Sequence, residues 1–342
     1  MNECCKRVLH RFPLVPSLLG AAAVAAVAAV AAVASVGTAA AQQYPVKPVR
    51  VVIGFAAGGS VDLVGRTVSQ ALGNAYGRPV VVDNRPGAAS HIAGALVASS
   101  IPDGYTLLVS SQGGLGTNLA LYTKMPYNPL KDLTPVTLLV FQPQIVLVNP
   151  KVEARNIKEL IALAKAKPGG LNYGSAGSGG VLHLAAELFS SMTGTKMTHI
   201  AYKGGAPALV DLIGGQIDLT FQPLPEALPH LKSGRVRPLA MTSAKRSASA
   251  PDIPTVSESG LPGFTFTSWM GTAGPAGMPA ALTAQISADW NKALNTPEVR
   301  QRLVEAGLDI AGGTPEQFAA HMRSEVESMT RLVKEAGIPP VE

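Results

Sequence analysis

The sequence predicts an α/β protein with two lobes, and three observations carry that reading. Short β-branched or apolar runs, each followed by a glycine-rich turn and then a helical pattern, recur from residue 49 onward. About 300 residues follow an apolar N-terminal segment, more than one hydrophobic core usually holds. No self-similarity at solenoid length competes with this layering.

Val49, Val51, Val52 and Ile53 make 49–53 a buried strand, with a loop at 54–60 and a helix at 61–76 that stops at Gly77. Val80, Val81 and Val82 form the next strand. The turn Asn84-Arg85-Pro86-Gly87 leads to a helix at 92–99, and Pro102-Asp103-Gly104 leads to a strand at 105–110. Gly113-Gly114-Leu115-Gly116 reads as a further glycine turn. Residues 136–148 read as two extended runs broken at Gln142-Pro143, followed by a helix at 157–166 stopped by Pro168-Gly169-Gly170. A second α/β unit begins there, with a strand at 171–173, a loop at 174–180 and a helix at 181–192 capped by Gly194. A helix at 208–213 and strands at 217–221 and 238–242 follow. Residues 268–279, rich in Gly, Ala and Pro, read as a crossing or linker, and amphipathic helices at 281–294 and 315–334 close the chain.

The N-terminus reads as an export signal. Lys6, Arg7 and Arg11 precede an apolar Ala/Val run at 18–34, and Thr38-Ala39-Ala40-Ala41 offers an A-x-A site with cleavage after Ala41. The competing reading is an uncleaved anchor, since the apolar run approaches bilayer-spanning length. Cys4 and Cys5 lie inside residues 1–41, so the exported product would carry no disulfide, thiol nucleophile or cysteine ligand. Of 28 basic and 22 acidic residues, removing Lys6, Arg7, Arg11 and Glu3 leaves 25 and 21, a net charge of +4. No basic block or basic–aromatic stripe accompanies that charge, which argues against nucleic acid as a partner.

Three glycine-rich loops join a strand to a helical segment: 55–60, 111–116 and 175–180. Each presents free backbone N–H groups at a helix start, where a carboxylate or phosphate is favoured and no Cβ obstructs it. The alternative is that these glycines only make tight turns, with Ser60 and Ser178 as ordinary caps. Three such loops in one α/β chain point to a binding cleft beyond the strand ends. Nucleotide motifs fail: there is no G-x-x-x-x-G-K-[ST], and Gly114-x-Gly116 has Leu119 where the third glycine belongs. His91, His183, His199, His230 and His321 stand singly and read as surface or helix-face residues, so neither a metal nor a cofactor is expected. Ala176-Gly177-Ser178-Gly179-Gly180 resembles a nucleophile elbow, which keeps a serine hydrolase using Ser178 and His183 as an alternative. His183 lies five residues along the next helix, however, where an elbow enzyme does not take its base.

Several stretches in order resemble the Bug family, the solute-binding proteins of tripartite tricarboxylate transporters. They include Tyr44-Pro45-x-Lys47-Pro48, Phe55-x-x-Gly58-Gly59-x-x-Asp62, and Val80 to Val82 with Asn84-Arg85-Pro86-Gly87-Ala88. Pro102-Asp103-Gly104-Tyr105, Tyr173-x-Ser175-x-Gly177-x-Gly179, Tyr202-Lys203-Gly204-x-x-Pro207 and Gly274-Pro275-Ala276-Gly277 continue the match. The resemblance implies a type II periplasmic-binding-protein fold: two α/β domains, 44–141 plus 268–342 and 142–267, joined by a hinge around a ligand cleft. It implies a periplasmic, monomeric receptor with no catalytic activity. Such a receptor captures a small organic carboxylate and delivers it to two integral membrane transporter subunits, or presents its closed form to a signalling receptor.

In such proteins the carboxylate sits between the first two loops, partly through ordered waters, and the second domain supplies the closing face. The matching positions here are Phe55, Ala56, Gly58, Gly59 and Asp62, then Ser110, Gly114 and Asn118. The second domain offers Ser175, Gly177, Ser178 and His183, with Tyr202 and Lys203 nearby. Phe55 would pack on the ligand's carbon skeleton. Asp62 is either a contact or a complement to the helix dipole, Asn118 a contact or a cap, and Tyr202 and Lys203 contacts or ordinary surface residues. Three departures bear on ligand identity: Ala57 where proline is usual, Gly180 in place of a serine, and Gln222 where an acidic residue is common, which disfavours an ammonium ligand.

Overall fold

The structure, a computed structural model, describes residues 44–340 apart from 88, 89, 178, 179, 203, 336 and 339. The segment read as an export signal lies outside the described residues, as do Ser178, Gly179 and Lys203. The unit that starts at Lys47 carries all the described secondary structure.

β1 (Val49–Ile53) is buried on both sides, with Val51, Val52 and Ile53 fully enclosed. Each such side chain contributes about 1.5–3 kcal/mol. α1 (Ser60–Tyr76) buries Val61, Val64, Val68 and Leu72 at helical spacing and stops at Gly77, whose left-handed φ of 60° a glycine adopts without a Cβ clash. β2 (Val80–Asn84), α2 (His91–Ala98), β3 (Thr106–Ser111) and the helical turn α3 (Gln112–Leu115) complete the first unit. β1 pairs in parallel with both β2 and β3, as crossover helices require.

β4 (Leu133–Val148) is one continuous strand of 16 residues. The expected break at Gln142-Pro143 is a change of partner. Up to Pro143 the strand pairs antiparallel with β9 (Thr267–Pro275), and from Gln144 it pairs with β7 (Leu219–Pro223). Proline is tolerated at such a junction because it ends one ladder and owes the next no N–H. Beyond the junction Ile145 and Leu147 enter one apolar cluster while Val146 and Val148 enter another, so the strand is buried on both faces.

The second unit comprises α4 (Ile157–Ala166), β5 (Asn172–Ser175), α5 (Val181–Thr193), β6 (Thr198–Ala201), α6 (Gly205–Gly214), α7 (Leu224–Lys232) and β8 (Arg237–Met241). β5 pairs in parallel with β6 and β7, and β4 adds β8. The strand path β2-β1-β3-β9-β4-β7-β5-β6 thus turns from one sheet into the other within β4. α8 (Ala280–Leu294), α9 (Pro297–Glu305), β10 (Asp309–Ile310) and α10 (Pro315–Glu335) follow, and β10 adds to the first half of β4. α10 begins in the first core with Phe318 and Met322 and ends in the second with Met329 and Leu332.

Two segments differ from expectation. Residues 268–279, read as a crossing or linker, include the strand β9, paired on both sides. Its glycines mark crowding, since a Cβ on Gly271 would lie 2.2 Å from the Phe318 ring and one on Gly274 2.1 Å from the Met278 sulfur. The presumed turn at 113–116 is mostly α3, followed by a 3-10 turn at Thr117–Ala120. β6, α7, α9 and β10 have no sequence forecast: β6 is largely exposed, α7 contains Pro225 and Pro229, and β10 is only a two-residue strand.

Candidate functional site

The carboxyl ends of β1 and β3 are locked by small residues. Ser90 is fully buried in a left-handed conformation with φ of 76°, and its Oγ lies 2.8 Å from Ser110 Oγ. Gly54 and Gly114 are the residues that make room: a Cβ on Gly54 would lie 1.8 Å from Ser90 Oγ, and one on Gly114 2.5 Å from Ser110 Oγ. Behind Gly114 the Tyr127 hydroxyl donates to its carbonyl at 2.5 Å. Asn118 donates through Nδ2 to His91 Nε2 at 3.0 Å, which leaves the His91 proton on Nδ1, and burial lowers the His91 pKa.

Asp62 holds the β1–α1 loop together. Its carboxylate accepts from the Gly58 N–H at 2.9 Å, from Arg66 Nε at 2.9 Å and from Asn84 Nδ2 at 2.8 Å; Asn84 Nδ2 also donates to the Phe55 carbonyl at 3.0 Å. Burial pushes the Asp62 pKa up, but the hydrogen bonds from Arg66, Gly58 and Asn84 outweigh it and hold the carboxyl below its usual range. Above this clamp Ala56, Gly58 and Gly59 are exposed and Phe55 is half-buried. No side chain caps α1 at Gly59, so its first-turn N–H groups lack that partner.

The first-loop and second-loop residues therefore fall into two layers. Phe55, Ala56, Gly58 and Gly59 form the surface, while Asp62, Ser110, Gly114 and Asn118 are buried beneath them. Asp62, Ser110 and Asn118 use polar atoms to shape the loops, which is the structural side of the alternatives open for Asp62 and Asn118. Sequence reading omitted Gly54, Arg66, Ser90 and His91. Asn84 and Gly87 of the quoted motif were the only local pointers to this layer.

In the second unit, Ser175 Oγ accepts from the Gly177 N–H at 3.1 Å and lies 2.6 Å from His199 Nε2. His199 stacks on His183 with ring centroids 4.1 Å apart, and on Tyr173 at 4.9 Å. The Tyr173 hydroxyl donates to Glu187 at 2.5 Å. Burial, and next to it the His183 ring, push the His199 pKa down to about 4; burial also lowers that of His183 against the pull of Glu187. His183 lies on a helix face, as read, but the two histidines do not stand singly: strand pairing of Tyr173 with His199 brings His199 onto His183. Ser175 is fully buried, so its hydroxyl closes the loop. Gly177 lies half-buried above it with φ of 121°, and α5 starts at Gly180 without a side-chain cap.

Tyr202 donates its hydroxyl to Asp211 at 2.7 Å, and burial together with Asp211 pushes its pKa up to about 12. Gln222 donates through Nε2 to Glu226, whose own pKa is raised by burial. A carboxylate therefore stands beside Gln222, although position 222 itself carries none. The same Glu226 oxygen would lie 2.8 Å from a Cβ on Gly205, so the protein's own carboxylate occupies the start of α6. α1 and α5 both start at a glycine without a side-chain cap. Among the described residues no group of three or more His, Cys, Asp or Glu is placed to hold a metal, and no helix is long and apolar enough to cross a membrane.

Comparison with known proteins places this architecture. The family described as tripartite tricarboxylate transporter family receptor matches residues 64–338. BugT of Bordetella pertussis is 35% identical over 298 residues, spanning 87% of this chain and 91% of its own. A protein of R. palustris solved with adipate superposes with a TM-score of 0.76 at 34% identity, covering 87% of this chain and 100% of that one. MatC from Rhodopseudomonas palustris, solved with bound malate, gives 0.70 at 32% identity, covering 85% and 100%. The chain belongs to the tripartite tricarboxylate transporter receptor family, the Bug solute-binding proteins, and is accordingly a receptor of two-domain periplasmic-binding-protein fold and not an enzyme.

Proposed function

We propose that this receptor captures a small organic carboxylate on the exposed β1–α1 loop and closes the β5–α5 loop over it. The observation that carries this is the exposed start of α1 at Gly59, which no side chain caps, beside a Gly58 whose own N–H is fixed on the Asp62–Asn84–Arg66 clamp. Two relatives were solved with adipate and malate, both small carboxylates, which supports a ligand of that class. Phe55 would lie along the carbon skeleton. Gly177, Ser178 and Lys203 would approach from the second domain, with Ser175, His183 and Tyr202 shaping that face.

The two domains on this reading are 44–141 plus 268–342 and 142–267, with the hinge where β4 changes sheets. Closure requires contacts that exist only in the closed form, which is why the second loop matters. The chain would be exported through a signal ending at Ala41, act in the periplasm as a monomer, and deliver its ligand to two integral membrane subunits.

A thermal-shift panel of mono-, di- and tricarboxylates, aromatic acids and amino acids on ligand-stripped protein tests the reading. A true ligand at about a hundred times its Kd adds roughly 2.7 kcal/mol, a shift of about 2 °C or more. Gly59→Leu should abolish that shift with the fold intact, because a Cβ at Gly59 meets nothing closer than the Ala56 carbonyl at 3.6 Å. A panel without any carboxylate response, or an unimpaired Gly59→Leu, overturns it.

A further inference from the structure

A cavity of about 750 Å³ lies where the elements of the two sheets meet, and none of the exposed carboxylate-loop residues lines it. Phe141 of β4 lines it, whereas the adjacent Gln142 reaches Ser60 at the head of α1 through Nε2 at 3.3 Å. Successive strand residues point to opposite sides, so cavity and carboxylate loop lie on opposite sides of the strand at this point.

The cavity has apolar walls and unused polar atoms. Phe266, Leu188, Met329 and Leu332 supply much of the apolar wall. Gln112, only 3% exposed, lines it from α3 and its buried Oε1 has no partner; His321 also lines it and its buried Nε2 has none. His321 is fixed edge-on between Phe141 and Trp269, at 5.8 and 4.9 Å. An unpaired buried acceptor costs about 1–3 kcal/mol unless something donates to it. Two carboxylates share the wall. Glu325 accepts from Trp269 Nε1 at 3.1 Å, and Asp309 accepts from Ser247 Oγ at 3.1 Å. The basic side chains on the lining, Lys245, Arg246 and Arg300, are exposed, with Arg246 paired to Glu258 and Arg300 donating to Asn295. Acceptors thus predominate among the enclosed groups and cations among the exposed ones.

We propose that this cavity is a second ligand site, which takes a small amphipathic amine: an aromatic or aliphatic body against Phe141, Phe266 and Leu332, and a nitrogen donor on Gln112 Oε1 and Glu325. Its chemistry is opposite to that of the carboxylate loop. The two sites are therefore distinguishable by ligand charge alone.

The test uses 2-phenylethylamine as probe and phenylacetate as its charge-reversed control, read on the indole N–H signals of the full chain. The sequence has two tryptophans, Trp269 beside the cavity and Trp290 on α8. The amine should shift the Trp269 signal saturably with a Kd of about 1 mM or below and leave Trp290 in place. Phenylacetate should not shift Trp269. Ser328→Phe, an exposed helix position on the cavity wall, should weaken the amine about tenfold or more, and Glu325→Gln, which can still accept from Trp269, by about tenfold. Absence of a saturable Trp269 shift, an equal response to phenylacetate, or an amine affinity unchanged in both variants overturns the proposal, whatever the carboxylate panel shows.

Discussion

The β1–α1 loop and the β5–α5 loop have the same outline, a strand end, a glycine turn and an uncapped helix start, yet they are held by different physics. The first is tied by an ionised Asp62 that accepts from a backbone N–H, a guanidinium and an amide. The second is tied by the neutral hydroxyl of Ser175 and a stack of Tyr173, His199 and His183. A charge clamp with several donors resists removal of any one of them, whereas a neutral hydroxyl hub is cheaper to loosen. That difference fits the proposed roles, in which the first loop would hold the anion and the second would move toward it.

The comparison can be broken most severely at Gly54. Gly54→Val would drive side-chain atoms into Ser90, where even a Cβ falls 1.8 Å from Oγ, so we expect about 3 kcal/mol of destabilisation by denaturant titration and loss of carboxylate binding. Asp62→Ala should cost about 2–3 kcal/mol, because the Gly58 N–H and Asn84 lose a common acceptor. It should also weaken carboxylate affinity, and an unaltered affinity would separate the clamp from the site. Ser175→Ala should cost only about 1 kcal/mol while slowing or weakening closure, read by small-angle scattering with and without ligand. Equal losses for Asp62→Ala and Ser175→Ala would remove the distinction between the loops.

Acid sharpens it. The Asp62 pKa is lowered in the fold, so its contribution is complete above the ordinary carboxylate pKa of 3.8 and disappears as pH falls through the lowered value. His199 is lowered to about 4 from 6.5, so between those values the unfolded chain binds more protons and stability rises with pH. Urea midpoints should therefore fall on acidification through that window. His199→Gln should flatten the fall without abolishing it, since His183 is shifted in the same direction. The Asp62 loss should come only at lower pH.

Much of the exposed site was legible because it is local. Phe55, Gly58 and Gly59 sit in a strand–glycine–helix pattern whose chemistry depends on neighbours in sequence. The buried layer was not, because Ser90 meets Ser110 across 20 positions and His199 meets Ser175 across 24. The strand within 268–279, read as a crossing or linker, escaped notice for a related reason: glycine makes turns by freedom of φ, but in β9 Gly271 makes room for Phe318, which arrives from elsewhere in the fold, and Gly274 for Met278.

By itself the sequence determined the α/β layering, most of the longer helices and strands, the candidate glycine loops and the receptor family, since each rests on periodicity, turn chemistry or ordered local motifs. Only the tertiary structure decided that β4 is one strand serving two sheets, that Asp62 and Asn118 are buried with polar atoms engaged in the loops, and that Gln112 and His321 share a cavity. Those outcomes depend on which distant side chains compete for the same volume and the same hydrogen bonds, and no local pattern encodes that competition.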